Sequence, residues 1–406
     1  MPVTFKHHRL SNGLTIVGEV DPAAHTSAAG FFVKTGARDE APALMGVSHF
    51  LEHMMFKGTE TLSADELNRA FDAIGARNNA YTSNEMTCFY AQALPEHTPR
   101  IVELLGTMMR PALRDADFTM ERGVILEEIA MYKDNPFWVL YESCVEKHFG
   151  AHPLSHRVLG TTETITALAR DEMAGYFDKR YAADNTVVSL AGRVDFEATC
   201  KQIEGLCAAW PATGPTRDAS RPTLVGGEFA ISDPKLERGY LLALCDGPSS
   251  SDPRRYAAAL LAQVLGAADN SRFHWALIEP GLADEAQASF DPHDGFGEFF
   301  VFASGDPENL DEIWEVIQRE LVNLIASITQ DDLARLVNKI ATAATVGGER
   351  PGDRMQRLGR QWTYLGEYAS LEEELAKIQA VTLDDLRAIH KAYPFTPVTV
   401  GRLGPK

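Results

Sequence analysis

Cysteine is scarce in this chain: five residues in 406 (Cys88, Cys144, Cys200, Cys207 and Cys245), an odd number, widely scattered, with no C-x-x-C pair. That pattern argues against a disulfide framework or a cysteine-rich metal ribbon and fits free thiols in a reducing compartment. Basic residues are also short, 38 Lys and Arg against 57 Asp and Glu, and the formal charge of -19 would repel phosphates. Nucleic acid is therefore not an expected partner, and the acidic surface reads chiefly as a solubilising one. No apolar run reaches the length of a membrane span, and the opening MPVTFKHHRLSNGLTIV lacks the basic, apolar and small-residue order of a signal peptide. A cytoplasmic protein with no membrane partner is the expectation.

What is present is a chain long enough for about two domains, with an apolar fraction of 45%. The stretch WPATGPTRDASRPT, 210–223, reads as a linker, separating residues 1–209 from 224–406. The halves resemble each other in pattern. VVSLAGRVDFEATCKQIEGLCAAW runs strand, glycine turn, helix, and FFVFASGDPENLDEIWEVIQRELVNLI repeats it. GARNNAYTSNEMTCFYAQAL and GLADEAQASFDPHDGFGEFFVFAS each read as two strands around a polar turn. A duplication follows, giving two homologous α+β domains, each a mostly antiparallel sheet covered by helices.

Chemistry concentrates in GVSHFLEHMMFKGT, 46–59. As a helix, it places Val47, Phe50, Leu51 and Met54 on a buried face and His49, Glu52 and His53 on the other. Two imidazoles one turn apart are half of a tetrahedral zinc site. The third donor is sought in ERGVILEEIAMYKDNP, 121–136. There Glu128 is flanked by Val124, Ile125, Met131 and Tyr132, an apolar stripe in which a carboxylate needs a cation; Glu127 lies at its edge and is the weaker choice. Glu121 falls two turns earlier on the same face, placed to support the site from outside. Glu52, between the two histidines, is left as the base that takes a proton from activated water during peptide hydrolysis. A purely structural zinc would ask for four protein ligands rather than three.

HFLEHMMFKGT followed by ERGVILEEIAMYKDNP resembles the inverzincin metallopeptidases, the group that includes pitrilysin, insulysin and the mitochondrial processing peptidase. LSNGLTIV, GARNNAYTSNEMTCFY, YAADNTVVSLAGRVD and VTLDDLRAIHKAY agree with it, so the resemblance spans the chain. It implies one zinc ion per chain on His49, His53 and Glu128, Glu52 as general base and Glu121 as accessory glutamate. It also implies that the two domains form half of a clamshell, which closes as a homo- or heterodimer around peptides or unfolded segments. Asn79 and Ala80 match the sheet edge along which relatives add the substrate as a strand.

One departure stands out. Many relatives carry an Arg and a Tyr in the second domain that reach the substrate. Aligning GLA in SRFHWALIEPGLADEA puts Ile278 and Asp284 at those positions, while Arg272 of SRF reads as structural. Neither replacement stabilises an oxyanion. The resemblance therefore implies a zinc-bearing subunit of a heterodimer whose related partner supplies both groups. An active homodimer and a non-catalytic subunit of the same fold are the competing readings.

His7 with His8, and His152 with His156, read as solvated residues outside regular elements. PHDGFGEFF, 292–300, lacks phosphate-loop spacing and is assigned to a turn, and VGGERPGD, 346–353, to a flexible loop.

Overall fold

The computed structural model describes residues 3–405. Its strands are β1 Thr4–Arg9, β2 Thr15–Val20, β3 Ser27–Val33, β4 Arg77–Thr82, β5 Thr87–Ala93, β6 Thr186–Gly192, β7 Gly227–Ser232, β8 Gly239–Gly247, β9 Glu285–Pro292, β10 Gly297–Gly305 and β11 Thr399–Gly404. They form two sheets, ordered β1-β2-β6-β3-β5-β4 and β7-β11-β8-β10-β9. All pairs are antiparallel except β2 with β6 and β7 with β11. Apart from β1, each strand of the first sheet has a counterpart of the same direction in the second, as an α+β duplication requires.

The repeat lies in a different register from one of the two pairings expected above. The strand that corresponds to β6 is β11, because both are parallel to one neighbour and antiparallel to the other. The true partner of β10 and its helix Leu310–Ser327 is β5 with helix Thr98–Met108, each pair joined by a short 3-10 turn that begins with proline. Strand, glycine and amphipathic helix follow one another several times in this fold, so the pattern alone does not choose between copies. The hairpin pairing, β4–β5 with β9–β10, is the observed one.

Two compact units result, and neither is contiguous in sequence. Among the described residues the first comprises 3–130, 156–217 and 345–370, the second 131–155, 218–344 and 371–405. The stretch 210–223 is thus divided between them rather than standing free. Arg217, within it, pairs with Asp39 at 2.5 Å in the first unit, and Asp39 also pairs with Arg180.

Each sheet carries a helix from the other half of the sequence. Pro351–Leu365 lies on β3 and β6 of the first sheet. Gly359 is needed there, since a Cβ would fall inside the Phe32 ring. Glu19 on β2, buried, receives Arg357, Arg354 at 3.4 Å and the Tyr368 hydroxyl at 3.1 Å, which ties the helix to the sheet through a satisfied buried carboxylate. On the second sheet Pro136–Phe149 takes the equivalent place, with Leu140 and Cys144 packed against Leu242, Leu244 and Leu403. The opposite face of that sheet buries Leu241, Ala243, Phe299 and Val301 against helices Arg255–Gly266 and Leu310–Ser327.

Several smaller expectations change. His7 and His8 sit on β1, exposed, with the His7 ring stacked on Trp362. His156 is buried, its Nδ1 3.0 Å from the Ala37 carbonyl oxygen, so it is a satisfied interior histidine rather than a solvated one. Residues 346–353 are mostly helical: Gln330–Gly348 ends and Pro351–Leu365 begins there, proline at the first turn starting the new helix. No helix among the described residues is long and apolar enough to cross a membrane.

Candidate metal centre

The helix Val47–Met55 forms with the expected sidedness. Val47, Phe50, Leu51 and Met54 are buried, and the Phe50 ring stacks on Phe118 at 4.8 Å. Its start is built with care for sterics and charge. Gly46 has φ +95, and a Cβ there would lie 2.6 Å from the Leu159 carbonyl oxygen. The backbone N–H groups of Gly46 and Ser48 each donate to Glu40 at 2.7 Å, satisfying orphan donors of the first turn. Burial pushes that Glu40 carboxyl up to about 8, against the pull of these donors.

His49 and His53 project from consecutive turns with ring centroids 4.7 Å apart. Facing them is the helix Asp115–Lys133. Glu128 Oε2 lies 3.8 Å from His49 Nε2 and 3.7 Å from His53 Nε2. His49, His53 and Glu128 each offer a donor atom within 4.8 Å of the others. The expected buried stripe around Glu128 is not there. This helix buries Phe118, Glu121, Ile125 and Ile129, whereas Val124 and Met131 are 44% and 69% exposed. Glu128 is therefore half-buried at the rim of the buried face, and Glu127 is exposed.

Around these three stand supports that include residues the sequence did not single out. Glu121 Oε1 is 2.8 Å from His53 Nδ1, and its Oε2 is 2.5 Å from Lys57 Nζ. The Thr82 hydroxyl, at the end of β4, donates to Glu52 Oε2 at 2.6 Å. Lys57 lies in FKGT and Thr82 in NNAYTSN; a polar residue ending a strand next to a helical glutamate is visible only once the strand is folded against the helix.

Electrostatics favour a cation. Burial, then the neighbouring His53, drives His49 down to about 3, so it is a neutral imidazole with a lone pair to donate. Burial raises Glu128, opposed by His53. Glu52 is likewise raised by burial, while the Thr82 hydrogen bond and His53 pull it back. Two imidazole nitrogens and a carboxylate oxygen are zinc donors, and tetrahedral bonds of about 2.0–2.1 Å set donors roughly 3.4 Å apart. The separations to Glu128 exceed that by a few tenths of an ångström, which side-chain rotation closes. The donor set therefore fits zinc.

Among the described residues β4 is the edge of its sheet, paired only with β5. Asn79, exposed, and Ala80, half-buried, lie on it, and Thr82 joins that strand to Glu52. Nearby, a cavity of 280 Å³ is lined by Phe56, Lys57, Leu67, Asn68, Phe71 and Asn78. In the second unit, Ile278 closes a π-helical turn, His274–Ile278, and packs against the core. Asp284 is exposed and pairs with Arg238 at 3.3 Å. Arg272 is a structural residue, 2.9 Å from Asp332 and bonded to the Ser327 carbonyl oxygen at 2.6 Å.

Comparison with known proteins agrees with this architecture. Residues 15–162 match the insulinase family, peptidase family M16, and residues 167–340 match the peptidase M16 inactive domain. An uncharacterized zinc protease of Streptomyces coelicolor is 32% identical over 399 residues, 95% of this chain and 86% of that protein. One of Bacillus subtilis is 30% identical over 387 residues, 95% of this chain and 94% of that protein. A protease from Helicobacter pylori has the same fold, with a TM-score of 0.92 at 20% identity, covering 99% of both chains. Identity at this level along nearly the whole length leaves no ambiguity about descent: the chain belongs to peptidase family M16.

Proposed function

We propose that this chain is a zinc-dependent endopeptidase, the metal-bearing subunit of a dimer that encloses peptides or unfolded segments. The convergence of His49, His53 and Glu128, with Glu52 held beside them by Thr82, is the observation that carries the reading. His49, His53 and Glu128 would hold one zinc ion, which supplies Lewis acidity toward a carbonyl oxygen and toward water. Glu52 takes the proton of the attacking water and returns it to the leaving amine, and Thr82 keeps its carboxylate oriented for both transfers. Glu121 fixes the ring of His53, and Lys57 fixes Glu121. The free edge of β4 at Asn79 and Ala80 offers backbone groups to an extended peptide, and the cavity near Phe56 and Asn78 offers room for one of its side chains. Five buried free cysteines fit the reducing cytoplasm as its compartment.

Ile278 and Asp284 favour a heterodimer. An isoleucine packed in the core donates no hydrogen bond, and an ionised aspartate, here engaged with Arg238, has no donor for a developing oxyanion either. A related partner chain would supply them. The competing non-catalytic reading suits a chain with an eroded donor set, and here all the expected side chains are present and converge.

The test is Glu52→Gln in the purified chain, with zinc content and peptide hydrolysis read on one sample. Zinc retention with a loss of turnover of at least about a hundredfold is expected. Undiminished turnover overturns the assignment. Activity of the lone chain against the chain co-purified with a related subunit tests the partner: poor cleavage alone and efficient cleavage together is expected, and full activity alone establishes a homodimer instead.

A further inference from the structure

The second unit holds another convergence of metal-binding side chains, at the tip of the β9–β10 hairpin. Composition alone assigns 292–300 to a turn. Folded, Asp291 on β9 and Glu298 on β10 stand directly opposite one another, so their side chains leave the same face of the sheet. His293 follows Pro292 into the turn. One donor atom from each of Asp291, His293 and Glu298 lies within 4.8 Å of the other two, and His293 Nε2 is 3.9 Å from Asp291 Oδ2.

Exposure is graded through this cluster. Glu298 is 2% exposed, the His293 side chain 12% and the Asp291 side chain 59%. The three therefore make a floor, a wall and a mouth open to solvent. Glu298 Oε2 is buried and has no hydrogen-bond partner among the described residues. A carboxylate oxygen stripped of water without a partner is costly, and a cation bound between the three donors removes that cost. The turn is also held in place by its backbone: the His293 N–H donates to the Phe296 carbonyl oxygen at 2.7 Å, and the Ser250 N–H donates to the His293 carbonyl oxygen at 2.9 Å. A ligand set on a fixed turn loses little freedom when it binds.

We propose that Asp291, His293 and Glu298 form a second metal site, taking a divalent ion of the zinc–manganese class. Two carboxylates and one imidazole define that class: oxygen donors alone would suit magnesium or calcium, thiolates would suit softer ions, and the imidazole shifts preference toward the first-row transition metals. Three protein donors with an exposed mouth leave positions for water. The bound ion clamps the ends of β9 and β10 together and steadies the hairpin.

The test uses the full chain carrying His49→Gln and His53→Gln, which removes the first centre, stripped with chelator and titrated with zinc or manganese by calorimetry. Saturable uptake of a single ion is expected, with a rise in melting temperature on metal addition. Adding His293→Gln or Glu298→Gln should weaken uptake at least about tenfold. Asp291→Asn, at an exposed side chain that does not endanger folding, should also weaken it. No uptake by the double variant, or uptake unchanged by all three further substitutions, overturns the proposal. The two centres fail separately: a wild-type chain that takes one ion and loses it with His49 and His53 lacks this site, whereas one that keeps it lacks the other.

Discussion

The Nδ1 of His53 lies 2.8 Å from Oε1 of Glu121, so the ring that points its Nε2 at Glu128 is anchored from behind by a second, buried carboxylate. The Nδ1–H donates to that carboxylate, which selects the tautomer with a free Nε2 lone pair. Glu121→Gln keeps the shape and removes the charge. Zinc affinity should fall about 10–100-fold with the fold intact, measured by competition with a chelating indicator alongside circular dichroism. Unchanged affinity would remove Glu121 from the site.

Thr82 tunes Glu52. Burial holds the Glu52 carboxyl above the usual range, and the Thr82 hydroxyl, which favours the ionised form, opposes that rise. In the proposed mechanism Glu52 works as the carboxylate, so its ionisation sets the acidic limb of kcat/KM. Thr82→Val should move it to higher pH, with losses largest below the limb and smaller above it. A limb that does not move shows that Thr82 leaves the ionisation of Glu52 unaffected.

His148 should make the second unit acid-sensitive. It is fully buried, its Nδ1 2.8 Å from the Thr399 hydroxyl, and burial lowers its pKa to about 4. The unfolded chain takes up a proton near 6.5 and the folded one does not, so this stability is present above that pH and is lost as pH falls from 6.5 toward 4. The loss is of the order of 2–3 kcal/mol. Denaturant unfolding at neutral and acidic pH should show a flatter dependence in His148→Gln, even though that variant starts less stable. Parallel slopes in the two proteins would assign the acid sensitivity to other groups.

The amino-acid sequence determined the helix Val47–Met55 and its two faces, because apolar residues spaced at a helical period leave His49, Glu52 and His53 on one side whatever surrounds them. It also determined the duplication and both hairpins, since alternating residues around a polar turn are a local property. What tertiary structure decided lies in contacts between distant segments. Glu128 stands at a half-exposed rim and not in an apolar stripe, because the helix turns Phe118, Ile125 and Ile129 inward instead of Val124 and Met131. Thr82 meets Glu52 only because β4 lies against that helix. The place of Pro136–Phe149 in the second unit and of Pro351–Leu365 in the first, each from the opposite half of the sequence, and the convergence of Asp291, His293 and Glu298, were likewise decided by packing and strand register. Periodicity states which residues share a face of one element, and only the folded sheet states which faces meet.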